Sequence, residues 1–454
     1  MIWVLIKSKI GSEKDKMHIW SSLNRGQQQL LLSRPAMADN HKLSNAVAEI
    51  IKHVAANGDD ALRELTARFD NVQLNELALA PGALKNVQGE IGSDVKAAID
   101  KAYANIYAFH RAQTPHDIKV ETAPGVVCEL KHAPLGSVGL YIPGGSAPLI
   151  STVLMLGVTA QVAGCPRKVL CTPPNKQGEV PAEIRYAASL CDINEVYLVG
   201  GAQAIAALAL GTESIIKVDK IFGPGNSFVT EAKQQVSRIP AGPAIDMPAG
   251  PSEVLVIADQ HANPVFVAAD LLSQAEHGAD SQAILVCDSA PLIDAVKAQV
   301  DSQLATLSRK DIATQAMTHS RYILTDSLAR SIEVSNQYAP EHLILQVEAA
   351  RDCLASVRNA GSIFVGKWSP ESAGDYASGT NHVLPTYGYA RNYSSLGLAD
   401  FIRRYTVQEL TSSGLQNIGN AIMDLAQAEG LDAHKQAVVL RLAALNNISG
   451  DSGE

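Results

Sequence analysis

The fold is decided by the stretch VGLYIPGGSAPLISTVLMLGVTAQV, residues 138–162. It opens on an apolar run, Val138–Ile142, passes through Gly144 and Gly145, and continues as an apolar helical segment over Pro148–Val162. A continuously apolar strand followed by a helix is typical of a parallel sheet covered by helices on both faces. The stretch therefore predicts the first unit of a β-α series.

The same alternation continues along the chain in two blocks. The first block has predicted strands at Val138–Ile142, Lys168–Thr172, Glu195–Val199 and Lys220–Phe222, and predicted helices at Pro148–Val162, Pro181–Ala188 and Ala202–Leu210. The second has strands at Glu253–Ala258, Ala283–Cys287, Arg321–Thr325, His342–Gln346 and Ser362–Val365, and helices at Pro264–His277, Ala290–Leu307 and Ser327–Gln337. We therefore predict an α/β fold with two Rossmann-like parallel-sheet domains in tandem.

Helical patterns flank these blocks. From Asn45 to Asp70 apolar residues recur at helical spacing, and Gly58 divides that run into two helices. Val95–Gln113 predicts another helix, and after about Asp400 the pattern returns to helices at Leu415–Glu429 and Ala433–Asn446. We expect small helical N- and C-terminal segments around the α/β core.

Composition excludes several classes of protein. Hydrophobic residues make up 46% of the 454 and charged residues 18%, which is enough to build buried cores and argues against disorder. The net charge is −9 and no block of lysine and arginine occurs, so nucleic acid is not an expected partner. The six cysteines are scattered without a C-x-x-C pair, which favours buried free thiols over disulfides or thiolate metal sites.

Membrane and export signals are also not predicted. The most apolar stretch, Leu149–Gly164, is interrupted by polar residues and falls short of ~18 apolar residues in a row. The opening Met1–Ile6 is too short for a signal sequence and has no basic residues before it. Residues 1–16 look like an appendage, since Met17 could itself begin the chain. We expect a cytoplasmic protein.

Glycine-rich loops follow the predicted strands of the first block. They are Pro143–Ser146, Gly200–Gln203, Gly223–Asn226 and, before the second block, Pro248–Ser252. Ligands of open α/β sheets bind beyond the carboxyl ends of the strands, and glycines let backbone N–H groups approach a phosphate there. No G-x-G-x-x-G occurs, so nucleotide binding and ordinary turn chemistry both remain open on the residues alone.

A helix with recognisable ends carries a possible pair of metal ligands. Asn263 can cap it, Pro264 suits its first turn and Gly278 suits its end. Gln274 and His277 are three residues apart and should project from one face of the last turn. An amide oxygen and an imidazole placed so could share a metal, although such a pair also occurs on ordinary helix faces.

Three further positions could contribute chemistry. The segment Ser369–His382 has a loop composition and carries Asp375, a possible oxygen ligand, and His382, a possible substrate contact. Glu341 and His342 lie between a helix and a strand and supply two proton acceptors of different pKa. His434 follows Asp432, a predicted N-cap, and a first helical turn favours the neutral imidazole that a metal needs. A surface loop, a chance dipeptide and a lone histidine are the respective alternatives.

The order of these motifs is more specific than any one of them. The ordered segments are Tyr141–Ser146, Val199–Ala206, Phe222–Asn226, Asp246–Glu253, Ser273–Gly278, Pro340–His342 and Gly374–His382. Together they resemble the bacterial type of the histidinol dehydrogenase family, over roughly Leu30–Leu445.

The resemblance implies a role for each matching residue. It implies that one Zn²⁺ per subunit is held by Gln274, His277, Asp375 and His434, that Glu341 activates water and that His342 accepts a proton. Substrate would touch Ser252, Gln274, His277, His342, Asp375, His382, Glu429 and His434. NAD would be contacted by Tyr141, Gln203 and Asn226.

It also implies a reaction and an organisation. The reaction is oxidation of L-histidinol to L-histidine through the aldehyde with two NAD reduced, the last step of histidine biosynthesis. The implied assembly is a homodimer whose C-terminal tail reaches the partner's site, so that Glu429 and His434 act across the interface. We expect the domains to be 1–35 (N-terminal segment), 36–140 plus 253–396 (metal and catalytic residues), 141–252 (NAD) and 397–454 (dimer tail).

Three rival functions remain on the residues alone. One is a relative that oxidises another polar alcohol, such as a sulfonated diol; Glu429 and His382 favour histidinol because they suit an amine and an imidazole. The others are a zinc hydrolase without NAD and a catalytically idle binding protein. The native metal could also be manganese or cobalt.

Overall fold

The computed structural model describes residues 16–34, 40–80, 82–144, 149–248 and 250–450. Apart from Lys16, the predicted appendage lies outside this part of the chain, as do the motif residues Gly145, Ser146 and Ala249.

The strands and helices come in the following order. The strands are β1 (Met17–Ile19), β2 (Ile118–Ala123), β3 (Val126–Pro134), β4 (Ser137–Tyr141), β5 (Arg167–Cys171), β6 (Glu195–Tyr197), β7 (Lys220–Phe222), β8 (Ala244–Ile245), β9 (Glu253–Ala258), β10 (Gln282–Cys287), β11 (Arg321–Leu324), β12 (His342–Gln346), β13 (Ser362–Val365) and β14 (Ile402–Leu410). The helices are α1 (Arg25–Leu31), α2 (Asn40–Phe69), α3 (Ser93–Arg111), α4 (Ile150–Ala163), α5 (Ala182–Leu190), α6 (Gly201–Leu210), α7 (Ser227–Val236), α8 (Pro264–Ala275), α9 (Ala290–Leu304), α10 (Lys310–Met317), α11 (Leu328–Tyr338), α12 (Glu371–Tyr376), α13 (Ser412–Ala428) and α14 (Asp432–Gly450).

The chain divides into two compact units. The first contains the described residues up to Gln113 together with Leu135–Phe401. It holds two sheets, a five-stranded one in the order β6-β5-β4-β7-β8 and a six-stranded one in the order β1-β11-β10-β9-β12-β13. Neighbouring strands in both sheets run parallel. The predicted α/β fold class with two parallel sheets is confirmed.

Each parallel sheet is buried on both faces because its strands are apolar at successive positions. In β9, Val254 and Val256 pack into one core cluster while Leu255 and Ile257 pack into another. In the five-stranded sheet, Leu170 likewise faces one cluster and Val169 the other. Successive strand residues point to opposite faces, so only a sheet with helices on both sides can bury such a sequence.

The second unit consists of Thr114–Pro134 and the chain from Ile402 onward. Its sheet is antiparallel, in the order β14-β3-β2. Helices α13 and α14 pack on each other, and Thr411 caps α13 by accepting from the N–H of Gly414 at 3.0 Å. Gly414 must be a glycine, because a Cβ there would lie 2.0 Å from the carbonyl oxygen of Gly125.

The antiparallel sheet is the main departure from the sequence prediction. Helices were expected after about Asp400, but Ile402–Leu410 forms β14, and β2 and β3 were not predicted. Most residues of β2 and β14 are exposed, so no buried face imposes an apolar pattern on them.

Two further predictions can be compared with the structure. The helix over Asn40–Phe69 leaves helical geometry at Gly58, where φ is 49° and ψ is −128°, which confirms the predicted break. In the described part of the chain, no helix is both long enough and apolar enough to span a membrane.

Candidate active site

The candidate site residues lie at two different edges of the two parallel sheets. Tyr141 ends β4, and Gly201 and Asn226 lie in or beside the loops beyond the carboxyl ends of β6 and β7. Glu253 and His342, by contrast, are the first residues of β9 and β12, at the amino edge of the six-stranded sheet. The predicted cofactor residues and the predicted acid–base residues therefore belong to different sheets and opposite strand ends.

Tyr141, Gln203 and Asn226 line one cleft of about 600 Å³. The Tyr141 hydroxyl accepts from the N–H of Gly201 at 3.1 Å, at the start of α6. Asn226 caps α7 by accepting from the N–H groups of Phe228 and Val229 at 3.0 and 3.1 Å. The cleft thus has helix N-termini in its lining, which suits an anionic pyrophosphate.

The loop that carries Asn226 is held by a buried ion pair. Lys233 contacts the carboxylate of Asp246, and both side chains are nearly inaccessible to solvent. Lys233 donates to the carbonyl of Gly223 at 2.9 Å, and Asp246 accepts from the N–H of the same residue at 2.8 Å. Gly223 adopts φ 128°, and a Cβ there would lie 2.1 Å from the carbonyl oxygen of Tyr141. The glycine is required, and the ion pair fixes both its backbone polar groups.

A second cleft, of about 550 Å³, adjoins the first through Asn226. Its lining includes Ser252, His277, Gly278 and Tyr387 as well as Asn226. A molecule bound in the first cleft can therefore reach toward the residues predicted to hold a metal.

Glu341 and His342 are both anchored to the backbone of Glu253. Oε2 of Glu341 accepts from the Glu253 N–H at 2.8 Å, and Nδ1 of His342 donates to the Glu253 carbonyl at 3.0 Å. That bond assigns the ring proton to Nδ1, which leaves Nε2 with its lone pair. Nε2 is buried and finds no hydrogen-bond partner among the described residues. The imidazole can therefore accept a proton at Nε2.

Burial moves the pKa values of this pair in opposite directions. It raises the pKa of Glu341 well above its usual range, helped by the negative charges of Glu253 and Asp375. It lowers the pKa of His342 to about 3, so the ring is neutral at physiological pH. Both groups thus favour their uncharged forms in the protein without ligands.

Glu253 is held in turn by Arg34. The guanidinium donates from Nε to Oε1 at 2.5 Å and from Nη2 to Oε2 at 2.9 Å, and it lies over the ring of Tyr338 at 4.0 Å. The N–H of Tyr387 donates to Oε1 at 2.7 Å. This carboxylate is buried and fully engaged, so the first residue of β9 is a rigid support for the two catalytic candidates.

His382 lies beside Asp375. Its Nδ1 donates to the Asp375 carbonyl at 3.0 Å, and its Nε2 lies 3.4 Å from the Thr152 hydroxyl. Burial lowers the pKa of His382 to about 4 and raises the pKa of Asp375 to about 6. Oδ1 of Asp375 is 3.9 Å from Nε2 of His342, so this carboxylate reaches the acid–base pair.

The side chains suited to a metal converge next to this pair. His277, Glu371 and Asp375 each offer one ligand atom within 4.8 Å of the others. Gln274 is fully buried, and its amide faces Glu371. These donors are nitrogen and oxygen atoms, which suit zinc or another divalent transition ion, and closely packed carboxylates without a cation repel one another. The residues fit a metal ion.

Three local predictions need correction. Helix α8 ends at Ala275, two residues earlier than expected, so His277 lies in the turn after the helix and is joined to Gln274 by a backbone hydrogen bond of 3.2 Å. Asp375 is in the short helix α12 and not in a loop. Asp432 is the first residue of α14, so it is not the cap, although His434 does occupy the first turn.

Glu429 and His434 belong to the second unit. Glu429 is the residue after α13, and His434 is exposed on α14. Their contribution to a substrate or metal site stays a prediction, as do the assigned roles of the residues in the first unit.

The sequence analysis missed Glu371, Lys233 and Arg34. Glu371 and Asp375 are four residues apart, a spacing that puts both on one face of a helix, but the expected loop hid this signal. Lys233 and Asp246 are thirteen positions apart and Arg34 and Glu253 are 219 apart, so nothing local in the sequence pairs them.

A nucleotide-type cleft on one parallel sheet, together with an acid–base pair and a metal-ligand cluster on a second, fits an α/β oxidoreductase. The sequence model of the histidinol dehydrogenase family matches residues 33–442. The chain belongs to the histidinol dehydrogenase family.

Individual relatives are similar over nearly their whole lengths. Histidinol dehydrogenase from Vibrio vulnificus (strain YJ016) is 57% identical over 427 residues, covering 94% of this chain and 98% of the relative. The enzyme from Colwellia psychrerythraea is 58% identical over 423 residues, covering 93% and 98%. The crystal structure of histidinol dehydrogenase from Elizabethkingia anophelis is similar with a TM-score of 0.91 at 48% identity, covering 95% of this chain and 99% of that one.

Proposed function

We propose that this chain oxidises L-histidinol to L-histidine through L-histidinaldehyde, with reduction of two NAD, as the last step of histidine biosynthesis. The observation that carries the proposal is the fixed tautomer of His342. Its Nε2 has no hydrogen-bond partner in the described part of the chain and lies 3.9 Å from Asp375, beside the metal-ligand cluster. An alcohol that is to lose a hydride needs such a base for its hydroxyl proton.

The residues that would hold NAD line the cleft of the five-stranded sheet. The N-terminus of α6 at Gly201 and that of α7 at Asn226 suit the pyrophosphate, and Tyr141 and Gln203 complete that side. Because Asn226 also lines the neighbouring cleft, the nicotinamide end can extend toward the substrate. NAD would accept the hydride in both oxidations.

His342 takes the proton of the alcohol in the first oxidation. The hydrogen bond from Nδ1 to Glu253 keeps the ring oriented while Nε2 becomes protonated. The product of this step is the aldehyde, with one hydride transferred and one proton held on the imidazole.

Glu341 serves the second oxidation by activating water. As a carboxylate it would remove a proton from a water molecule as the oxygen adds to the aldehyde, which yields a hydrate able to lose a second hydride. Its pKa, raised by burial, makes it a stronger base than an exposed glutamate once ionised. The net reaction consumes one water and two NAD and releases two NADH and three protons.

Zinc is the metal we propose, held by Gln274, His277, Asp375 and His434. When bound, it would supply the positive charge that fixes the amino alcohol and offsets the carboxylates around it. Ser252, His382 and Glu429 are the further substrate contacts we propose, since an amine and an imidazole suit a carboxylate and polar partners.

We also propose a homodimer in which Glu429 and His434 act in the partner's site. Helices α13 and α14 support this because Leu425 and Leu440 on them are 66% and 60% exposed, as expected of surfaces covered in an assembly. The expected domain boundaries and a cytoplasmic location remain proposals of the same kind.

The test is to follow NADH absorbance with L-histidinol, NAD and zinc. We expect two NADH per histidinol consumed. One NADH per histidinol would indicate a simple alcohol dehydrogenase, and none would exclude the dehydrogenase. A sulfonated diol offered in parallel tests the rival substrate.

A further inference from the structure

Glu371 is a buried carboxylate that has no assigned role in the proposed reaction. It is the first residue of α12 and is 1% exposed. Its neighbours are Gln274, His277, Asp375 and, at 3.8 Å from Oε1, Nδ1 of His342. A carboxylate is costly to bury without partners, so this one should have a function.

The surroundings allow two roles toward a metal. Glu371 could be a ligand itself, since its oxygen lies within 4.8 Å of the ligand atoms of His277 and Asp375. It could instead hold a neighbouring ligand in the required orientation, as groups around a metal site commonly do.

The contact with Gln274 favours the second role. With its nitrogen turned toward Glu371, the amide donates to Oε2 at 3.1 Å and more closely to Oε1. Beside an ionised Glu371, as expected once a metal cation is bound, the opposite orientation would place the amide oxygen against both carboxylate oxygens, so the hydrogen-bonding pattern selects the first one. Both oxygens of Glu371 therefore lie against the N–H₂ group of Gln274, and the Ser273 side chain is a further hydrogen-bond partner of this carboxylate.

An amide binds a metal through its oxygen only, and its nitrogen then needs an acceptor. Gln274 is fully buried, so solvent does not provide that acceptor. Glu371 is the acceptor for the amide nitrogen, and the amide oxygen consequently points away from Glu371.

We propose that Glu371 is a positioning residue that holds the amide nitrogen of Gln274 and so presents its oxygen to the metal. Helix α12 then makes two contributions four residues apart, Asp375 as a ligand and Glu371 as the group that orients another ligand. The proposal rests on the proposed function, because it assumes that Gln274 is a ligand of zinc.

A double-mutant cycle on zinc affinity tests it. The zinc dissociation constants of the wild type, Gln274→Ala, Glu371→Ala and the double variant are measured by chelator competition. We expect Glu371→Ala to weaken binding by about 10- to 100-fold, and to add less than about twofold in the Gln274→Ala background. If the two losses multiply, Glu371 acts independently of Gln274 and the proposal is overturned.

The conservative variant gives a second reading should Glu371→Ala fail to fold. Glu371→Gln keeps an oxygen that can accept from Gln274, so we expect zinc affinity within about threefold of wild type and an unchanged visible spectrum of the Co²⁺-substituted protein. A loss like that of Asp375→Asn, with an altered Co²⁺ spectrum, would identify Glu371 as a ligand.

The controls separate this proposal from the zinc site itself. Ser372→Ala alters the exposed neighbour on α12 and should leave affinity unchanged. If the wild type binds no zinc, the proposed metal site fails, and the positioning role with it. If the wild type binds zinc and the losses multiply, only the positioning role fails.

Discussion

The carbonyl of Glu253 accepts from Nδ1 of His342 at 3.0 Å, while the N–H of the same residue donates to Glu341. One peptide position at the start of β9 therefore orients both residues proposed to move protons. The Glu253 side chain is engaged separately, by Arg34. The geometry of the pair depends on a residue that performs no chemistry.

Arg34→Ala should destabilise the fold and slow catalysis. It leaves the buried Glu253 carboxylate without its cation, at a cost of about 3–5 kcal/mol, and loosens the support of Glu341 and His342. We expect kcat to fall by a larger factor than KM changes. Arg34→Lys should restore only part of the lost stability and kcat, because lysine cannot reproduce the two-point contact with the carboxylate. Urea unfolding and steady-state kinetics measure both effects.

The matched control is Arg330→Ala, which removes an exposed arginine paired with Glu333. It should change stability by less than about 1 kcal/mol and leave kcat alone. Equal effects of the two variants would contradict a supporting role for Arg34.

Glu341→Gln should uncouple the two oxidations. The first needs His342 and should continue, whereas the second loses the group that activates water, at a cost of about 10²- to 10⁴-fold in rate. We expect NADH per histidinol to fall from two toward one, with aldehyde trapped by a hydrazine reagent. Glu348→Gln, at an exposed glutamate, serves as control, and an unchanged ratio in Glu341→Gln would reject the assigned role.

Above about pH 7.5, where histidines are uncharged in both states, the metal-free chain should lose stability as pH rises. Burial and mutual repulsion raise the pKa values of Glu341 and Glu371, so the folded state holds protons that the unfolded state has released. That stabilisation is complete below the unfolded pKa and is lost as pH rises through the folded one. Histidines act in the opposite direction at lower pH, because the unfolded state binds their protons more readily than the folded state does. Above about pH 7.5 they are uncharged in both states and do not affect this slope. The histidines with lowered pKa values are His110, His277, His319, His342 and His382.

Thermal unfolding after chelation, at several pH values, measures that slope. Glu371→Gln should flatten it, because one of the titrating carboxyls is gone, and added zinc should reverse the loss in the wild type. A wild-type slope of opposite sign, or one unaffected by Glu371→Gln, would show that these carboxyls do not control stability.

Lys233→Met should weaken cofactor binding as well as stability. It leaves Asp246 buried without its cation, at about 3–5 kcal/mol, and frees the carbonyl of Gly223 in the loop that carries Asn226. We expect a higher KM for NAD with a smaller change in the KM for histidinol. The control Lys52→Met, at an exposed lysine, should alter neither KM value. If Lys233→Met shifted both KM values equally, its effect would not be specific to the cofactor.

The parallel sheets could be predicted because strands that are buried on both faces have apolar residues at successive positions. Strands such as Glu253–Ala258 and His342–Gln346 are buried at every position, and their predicted bounds agree with the structure. The antiparallel strand Ile402–Leu410 is exposed at most positions, so its pairing with Val126–Pro134 depends on backbone contacts between distant segments that no local pattern reports.

The site was predicted only in part. Glu341, His342 and Asp375 were each ambiguous alone, and the order of motifs around them carried the interpretation. Glu371 and Lys233 were not predicted because their importance comes from tertiary contacts, with Gln274 and Asp246 respectively. A glutamate in an apparent loop and a lysine in a helix look like solvent-exposed groups until the fold buries them.

The division of the site between two sheets bears on how this enzyme could be redesigned. The cleft around Tyr141 and Gln203 is built by the five-stranded sheet, while Glu341 and His342 are supported by the six-stranded one. We therefore expect that directed evolution can vary cofactor preference and reaction chemistry separately, as two modules: the cleft residues of the five-stranded sheet and the acid–base residues of the six-stranded sheet. Asn226 lines both clefts and is the position where changes to one module would disturb the other.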